Sequence, residues 1–143
     1  MAETTEKSGK LAVRLVTPDR VLLDATADAV ELPSSVGYLE ALYGHAPLLA
    51  ELGAGEVKLH GGTAGEQRFF VAWGFAEVLP ERVTILAEEA LKPEEIDRSQ
   101  TKEDLQNAQK AWQEAGDDEQ AYDAANAAGR EAEEKLAAAQ RGA

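Results

Sequence analysis

The repeat of the sequence changes at Lys92–Pro93, and no single regular structure can span the change. Before it, apolar residues recur at every second position. In KLAVRLV, Leu11, Val13 and Leu15 alternate with Ala12, Arg14 and Val16. Period two sends alternate side chains to opposite faces of a strand. After it, Ala and charged residues dominate, the composition of helix, and the one strong breaker is AGDD. The chain therefore divides into a strand half and a helical half, an α+β class. The predicted parts are a flexible N-terminus at 1–9, a β-sandwich domain at 10–91 and an α-helical hairpin domain at 92–143.

Turn signals punctuate the first half at short intervals. TPDR places Pro18 and Asp19 in a turn, and SSVG is another. GEVKLH and RFFVAWG flank the Gly-rich GGTAGE, which reads as a hairpin loop. AEVLP and RVTILAE are separated by Pro80 and Glu81. Roughly eight to ten short strands with no intervening helical pattern predict an antiparallel sandwich or flattened barrel. Its Val, Ile and Leu residues, with Phe69, Phe70, Trp73 and Phe75, are the expected core.

In the second half Pro93 suits a first helical position, and Glu94 and Glu95 suit the positive end of a helix dipole. Gly116 can end one helix in a left-handed conformation. Asp117 can cap the next, with Gln120 completing a capping box. The reading is two antiparallel helices, at about 93–115 and 118–140. Tyr122, Ala125, Gly129, Ala132, Leu136 and Ala139 form a heptad seam of mostly small residues. The first helix adds only Ile96, Leu105 and Trp112 as large apolar anchors. So little apolar area makes the hairpin marginal. It reads equally as a moving part or as a docked, solubilising appendage.

Charge narrows the partners. The chain has 14 Lys+Arg against 27 Asp+Glu, a formal net charge of −13, and no basic stripe. Nucleic acid and anionic lipid repel such a chain. It has no Cys and two His, so no thiolate chemistry and no His-rich metal site is expected. No apolar run approaches the ~20 residues of a membrane span, and the start MAETTEKSGK lacks a signal-peptide pattern. A cytosolic protein that meets the membrane only through partners is expected.

His45, in LYGHAPLL, is the one residue that invites a catalytic reading. No nucleophile or acid stands at a recognisable spacing from it, so its ring is expected to bond nearby backbone. His60 ends a polar strand and reads as a surface residue. The glycines of GAGEVKLHGGTAGE are turn residues, because no phosphate-loop Lys-Ser/Thr and no helix follow them. On the residues alone this is a non-catalytic, protein-binding chain.

Three segments resemble the epsilon-subunit family of bacterial F-type ATP synthases, the counterpart of the mitochondrial delta subunit. They are LAVRLVTPDRVLLDATADAVELPSSVG, LYGHAPLLAEL and FFVAWGFAEVLPERVTILAEEAL, together covering residues 11–91. The resemblance implies a rotor subunit of the central stalk with no catalysis of its own. It implies contacts with the gamma subunit and the c-ring, coupling proton-driven rotation to ATP synthesis at the cytoplasmic face of the plasma membrane. It also implies a regulatory hairpin that reaches the alpha/beta head.

Position by position, the resemblance assigns Ser34, Ser35, Val36, Gly37 and Tyr38 to the loop facing the c-ring. Family members often carry an acid there, and this chain has Val36 and Tyr38. It assigns Tyr43, Gly44, His45 and Pro47 to a rotor-facing segment next to that loop. Some members bind ATP through Ile/Leu-Asp-x-x-Arg-Ala on the hairpin. Here Ile96 and Asp97 match, but Gln100 and Thr101 replace Arg and Ala. A neutral amide lacks the bidentate charge of Arg, so no ATP or other cofactor is expected. From Asp117 onward, Arg130, Lys135 and Arg141 face seven acids, a balance that disfavours strong inhibition through an acidic surface of the head. Two other readings compete: a free-standing ligand-binding β-sandwich with a helical lid, and a hydrolase using His45.

Overall fold

The structure is a computed structural model that describes residues 9–62 and 65–142. The expected flexible N-terminus lies, apart from Gly9, outside these residues, as do Thr63 and Ala64 of the Gly-rich loop. The chain divides into two compact units, Met1–Leu91 and Lys92–Ala143.

Among the described residues the first unit holds eight strands: β1 (Leu11–Val16), β2 (Val21–Ala27), β3 (Ala29–Ser34), β4 (Gly37–Leu42), β5 (Leu48–Glu51), β6 (Ala54–His60), β7 (Gln67–Val78) and β8 (Arg82–Leu91). Their order is β2-β1-β8-β7-β6-β3-β4, with β5 also on β7. RFFVAWG and AEVLP, read as separate strands, are one 12-residue strand, β7. The purely antiparallel expectation fails at one pair, because β1 runs parallel to β8. These are the first and last strands of the unit, and local turn signals carry no information about so distant a pairing.

β7 is bent rather than broken. Trp73 has φ 60 and Gly74 φ 112. β6 pairs with β7 before the bend and β5 pairs with it after. At the corner the Leu52 N–H donates to the Gly74 carbonyl at 2.9 Å, and the Trp73 N–H to the Gly53 carbonyl at 3.2 Å. Two successive left-handed residues rotate the strand, and the inward parity changes. Phe69 and Val71 enter the core before the bend, Ala76 and Val78 after it. Phe75 therefore points out and is 51% exposed, against the expectation of a core residue. Trp73 is half-buried rather than core. Leu11, Val13, Leu15, Leu32, Val57, Leu59, Val83 and Ile85 complete the apolar interior.

In the second unit Pro93–Glu95 forms a single 3-10 turn, and the helix proper begins later than expected. Asp97 caps helix α1 (Arg98–Glu114) by accepting from the Gln100 N–H at 3.0 Å. The Thr101 hydroxyl donates to the Asp97 carbonyl at 2.7 Å. Gly116 takes φ 57, as a helix stop requires. The cap of helix α2 (Glu119–Gly142) is Asp118 rather than Asp117, its carboxylate accepting from the Ala121 N–H at 3.1 Å. Two turn residues, Gly116 and Asp117, lie between the helices and shift the cap by one position. Ala125, Ala132 and Ala139 of the seam are buried, while Tyr122 stays exposed. Trp112 is also exposed, its ring 5.7 Å from that of Tyr122.

Candidate functional site

The β3–β4 turn presents the five residues assigned to the ring-facing loop. The Ser34 hydroxyl donates to the Gly37 carbonyl and accepts from the Val36 N–H, which closes the turn. Gly37 takes φ 131, a left-handed value that glycine adopts at little cost. The Ser35 N–H is tied to the Glu51 carbonyl at 2.8 Å. The turn is thus held at its base, and Val36 stands out from it at 95% exposure.

Tyr38 is both exposed and anchored. It pairs with Pro33 across β3–β4, and its hydroxyl accepts the Glu56 N–H at 3.0 Å. Regular β3–β6 pairing ends at Glu31↔Lys58, and the Pro33 carbonyl accepts from the Gly53 N–H at 3.1 Å. The phenol replaces a main-chain partner there. A Cβ on Gly55 would lie 2.5 Å from that hydroxyl and 2.9 Å from the Pro33 Cβ, so Gly55 makes room for the ring.

The second assigned segment is not beside the first. β4 and β5 carry the chain between them, and the Gly44 N–H donates to the Pro80 carbonyl at 2.7 Å, at the β7–β8 turn. Gly44 takes φ 88. His45 Nδ1 lies 2.6 Å from the Ala46 carbonyl, an acceptor, so Nδ1 carries the proton and donates. This ring holds its own loop. Tyr43 is exposed there, with Leu42 and Leu48 close in sequence. Pro47 completes the loop and is exposed.

The strongest surface feature went unread in the sequence. On the outer face of β7, β8, β1 and β2, registered pairing aligns Phe75 with Leu86, Leu86 with Val16, and Val16 with Val21. Phe75, Leu86 and Val21 are each about half exposed, and Leu49 beside them is 70% exposed. The neighbouring row is Leu49, Glu77, Thr84, Arg14 and Asp24, polar beyond its first member. An apolar row crossing four strands in register is a surface to be covered. Its signal was the alternation in β8, where Leu86 falls on the polar phase of RVTILAE.

Ile96 and Asp97 sit at the entry of the hairpin. Ile96 is buried, and the Asp97 carboxylate is the α1 cap. Among the described residues no group of three or more His, Cys, Asp or Glu could hold a metal ion. No described helix is long and apolar enough to cross a membrane. His60, read as a simple surface residue, is half-buried between two carboxylates.

These features define a class: a β-sandwich with an exposed apolar row and a tied, protruding turn, continued by an antiparallel helical hairpin. Residues 10–93 match the family described as ATP synthase, Delta/Epsilon chain, beta-sandwich domain. The chain belongs to the ATP synthase delta/epsilon chain family. It is 43% identical to an ATP synthase epsilon chain of Koribacter versatilis over 117 residues, 81% of this chain and 77% of that one. It is 35% identical to that of Rhodospirillum rubrum over 142 residues, 99% of this chain and 100% of that one. Its fold is similar to a chain in the Euglena gracilis mitochondrial ATP synthase structure (OSCP/F1/c-ring), with TM-score 0.77 and 24% identity, covering 91% of this chain and 81% of that one.

Proposed function

We propose that the chain is a non-catalytic central-stalk subunit of an ATP synthase, bound to the gamma subunit and to the c-ring at the cytoplasmic face of the bacterial plasma membrane. The observation that carries this reading is the apolar row Phe75–Leu86–Val16–Val21. Covering half-exposed side chains of this size contributes about 1 kcal/mol each, which favours a standing contact over a transient one. We assign this row to gamma. The protruding Val36 with the anchored Tyr38 is assigned to the c-ring, an apolar contact in place of a charged one. Contact with the membrane is through these partners alone.

The test is co-purification from membranes with Phe75→Glu and Leu86→Glu combined. Both side chains already face solvent, so the domain stays folded by circular dichroism, and recovery of gamma falls at least tenfold. Undiminished recovery of gamma with the double variant would overturn the assignment. The hairpin is proposed not to bind ATP, since Asp97 is engaged as a helix cap and Gln100 stands in place of Arg. A calorimetric titration that found micromolar affinity would reverse that part.

A further inference from the structure

His60 closes β6 with both ring nitrogens engaged. Nε2 lies 2.8 Å from Glu31 Oε2 on β3, and Nδ1 lies 2.6 Å from Glu66 Oε2 in the β6–β7 connection. A carboxylate only accepts, and a neutral imidazole has one N–H. Both bonds exist together only when the ring is an imidazolium. We propose that His60 is a proton-operated clasp, which fastens the Glu66 end of the β6–β7 connection to β3 when protonated and releases it when neutral.

The surroundings fix the direction. Glu31 and Glu66 hold the His60 pKa above its ordinary 6.5 through hydrogen bonds and charge, and partial desolvation opposes them. Five other groups bear on the site. Lys58 precedes His60 on its own face of β6, and Arg68 pairs with Lys58 from β7. Asp28 donates its N–H to the His60 carbonyl, and Lys10 bonds both Asp28 and the Gly61 carbonyl. Glu40 pairs with Glu31 from β4. Lys10 and Asp28 offset each other, as do Lys58 and Glu40, and Arg68 alone weakens the clasp.

The sign follows from linkage. A raised folded pKa means the clasp contributes fully below the unfolded value of 6.5 and is lost as pH rises through the folded value. One bond survives in the neutral ring. Glu31, with its side chain 35% exposed on a strand, keeps it, and Glu66, 73% exposed in a connection, lets go. The released residues are Gly65 and Glu66, just before β7 begins at Gln67.

Imidazole and backbone NMR of the full chain tests this. The His60 ring is expected to titrate above 6.5, and Glu66→Gln and Glu31→Gln each to bring it back toward 6.5. The 1H–15N heteronuclear NOE of Gly65 and Glu66 is expected to fall with the same midpoint, and to be pH-independent in His60→Gln. Titration of His60 at or below 6.5, or an NOE that ignores its midpoint or persists in His60→Gln, would overturn the proposal.

Discussion

Arg98 and Ala139 lock the open end of the hairpin: the Arg98 guanidinium donates to the Ala139 carbonyl at 2.7 Å. Ala139 belongs to the last turn of α2, where the backbone carbonyls point out of the helix end. A cation there also meets the negative end of the α2 dipole. Its position at the start of α1 gives Arg98 this role.

Arg98→Ala removes both the bond and the charge, and is expected to lower hairpin stability by about 1–2 kcal/mol. Arg98→Lys keeps the charge and recovers part of the loss. Limited proteolysis near Arg141 reads the difference, with faster cleavage in the Ala variant. Equal cleavage of wild type and Arg98→Ala would mean the bond adds nothing.

Gly129 weakens the same hairpin from within. It lies in the middle of α2, where glycine costs about 1 kcal/mol relative to Ala. A Cβ built there meets only the Ala108 Cβ, at 3.8 Å, an ordinary contact. Gly129→Ala is therefore expected to stabilise the hairpin by about 1 kcal/mol without moving α1. Helical ellipticity followed through thermal unfolding checks it. A fall in the midpoint would show that the close approach to Ala108 has no room to spare.

The division at Lys92–Pro93 and both helices were legible because each rests on local chemistry: period, proline, caps. What escaped the sequence was set by φ at two residues. Trp73 and Gly74 look like strand residues, and a simple alternation carried from Phe69 through Val71 puts Phe75 inside. The left-handed pair reverses the parity, and Phe75 becomes the head of the exposed row. The β1–β8 pairing that extends this row to Val16 and Val21 joins distant segments, so no neighbouring residue announces it. His60 was missed for the same reason. Its partner Glu31 is 29 residues away on a different strand.

Tyr38 joins two roles that substitution can separate. Tyr38→Phe keeps the ring beside Gly55 and Pro33 but leaves the Glu56 N–H without this acceptor. It is expected to cost about 1 kcal/mol in the β domain, with partner binding retained. Tyr38→Ala also loses the exposed ring and is expected to weaken c-ring binding. Thermal unfolding and co-purification of the two variants together distinguish these losses. If Tyr38→Phe lost the c-ring as fully as Tyr38→Ala, the hydroxyl rather than the ring would be the binding group.

Gly74 is the residue on which the corner of β7 depends most. Its φ of 112 is disfavoured for any side chain, and a Cβ would overlap the Leu86 carbonyl oxygen of the paired strand. That carbonyl belongs to the main chain and cannot swing aside as a side chain would. Gly74→Ala must therefore either part β7 from β8 or straighten the bend. Straightening would turn Phe75 inward, against a core already filled by Ala76 and Val78. The expected loss is about 3 kcal/mol or more, far beyond that of Tyr38→Phe, with the apolar row dispersed and gamma binding lost alongside stability. Urea unfolding of the variant, with Gly65→Ala as a control, measures it. Gly65 shares a positive φ of 81 but has nothing within 4 Å of its built Cβ, so it reports backbone strain without overlap. Equal losses for the two would show that φ alone, and not the approach of β8, makes glycine necessary at the corner.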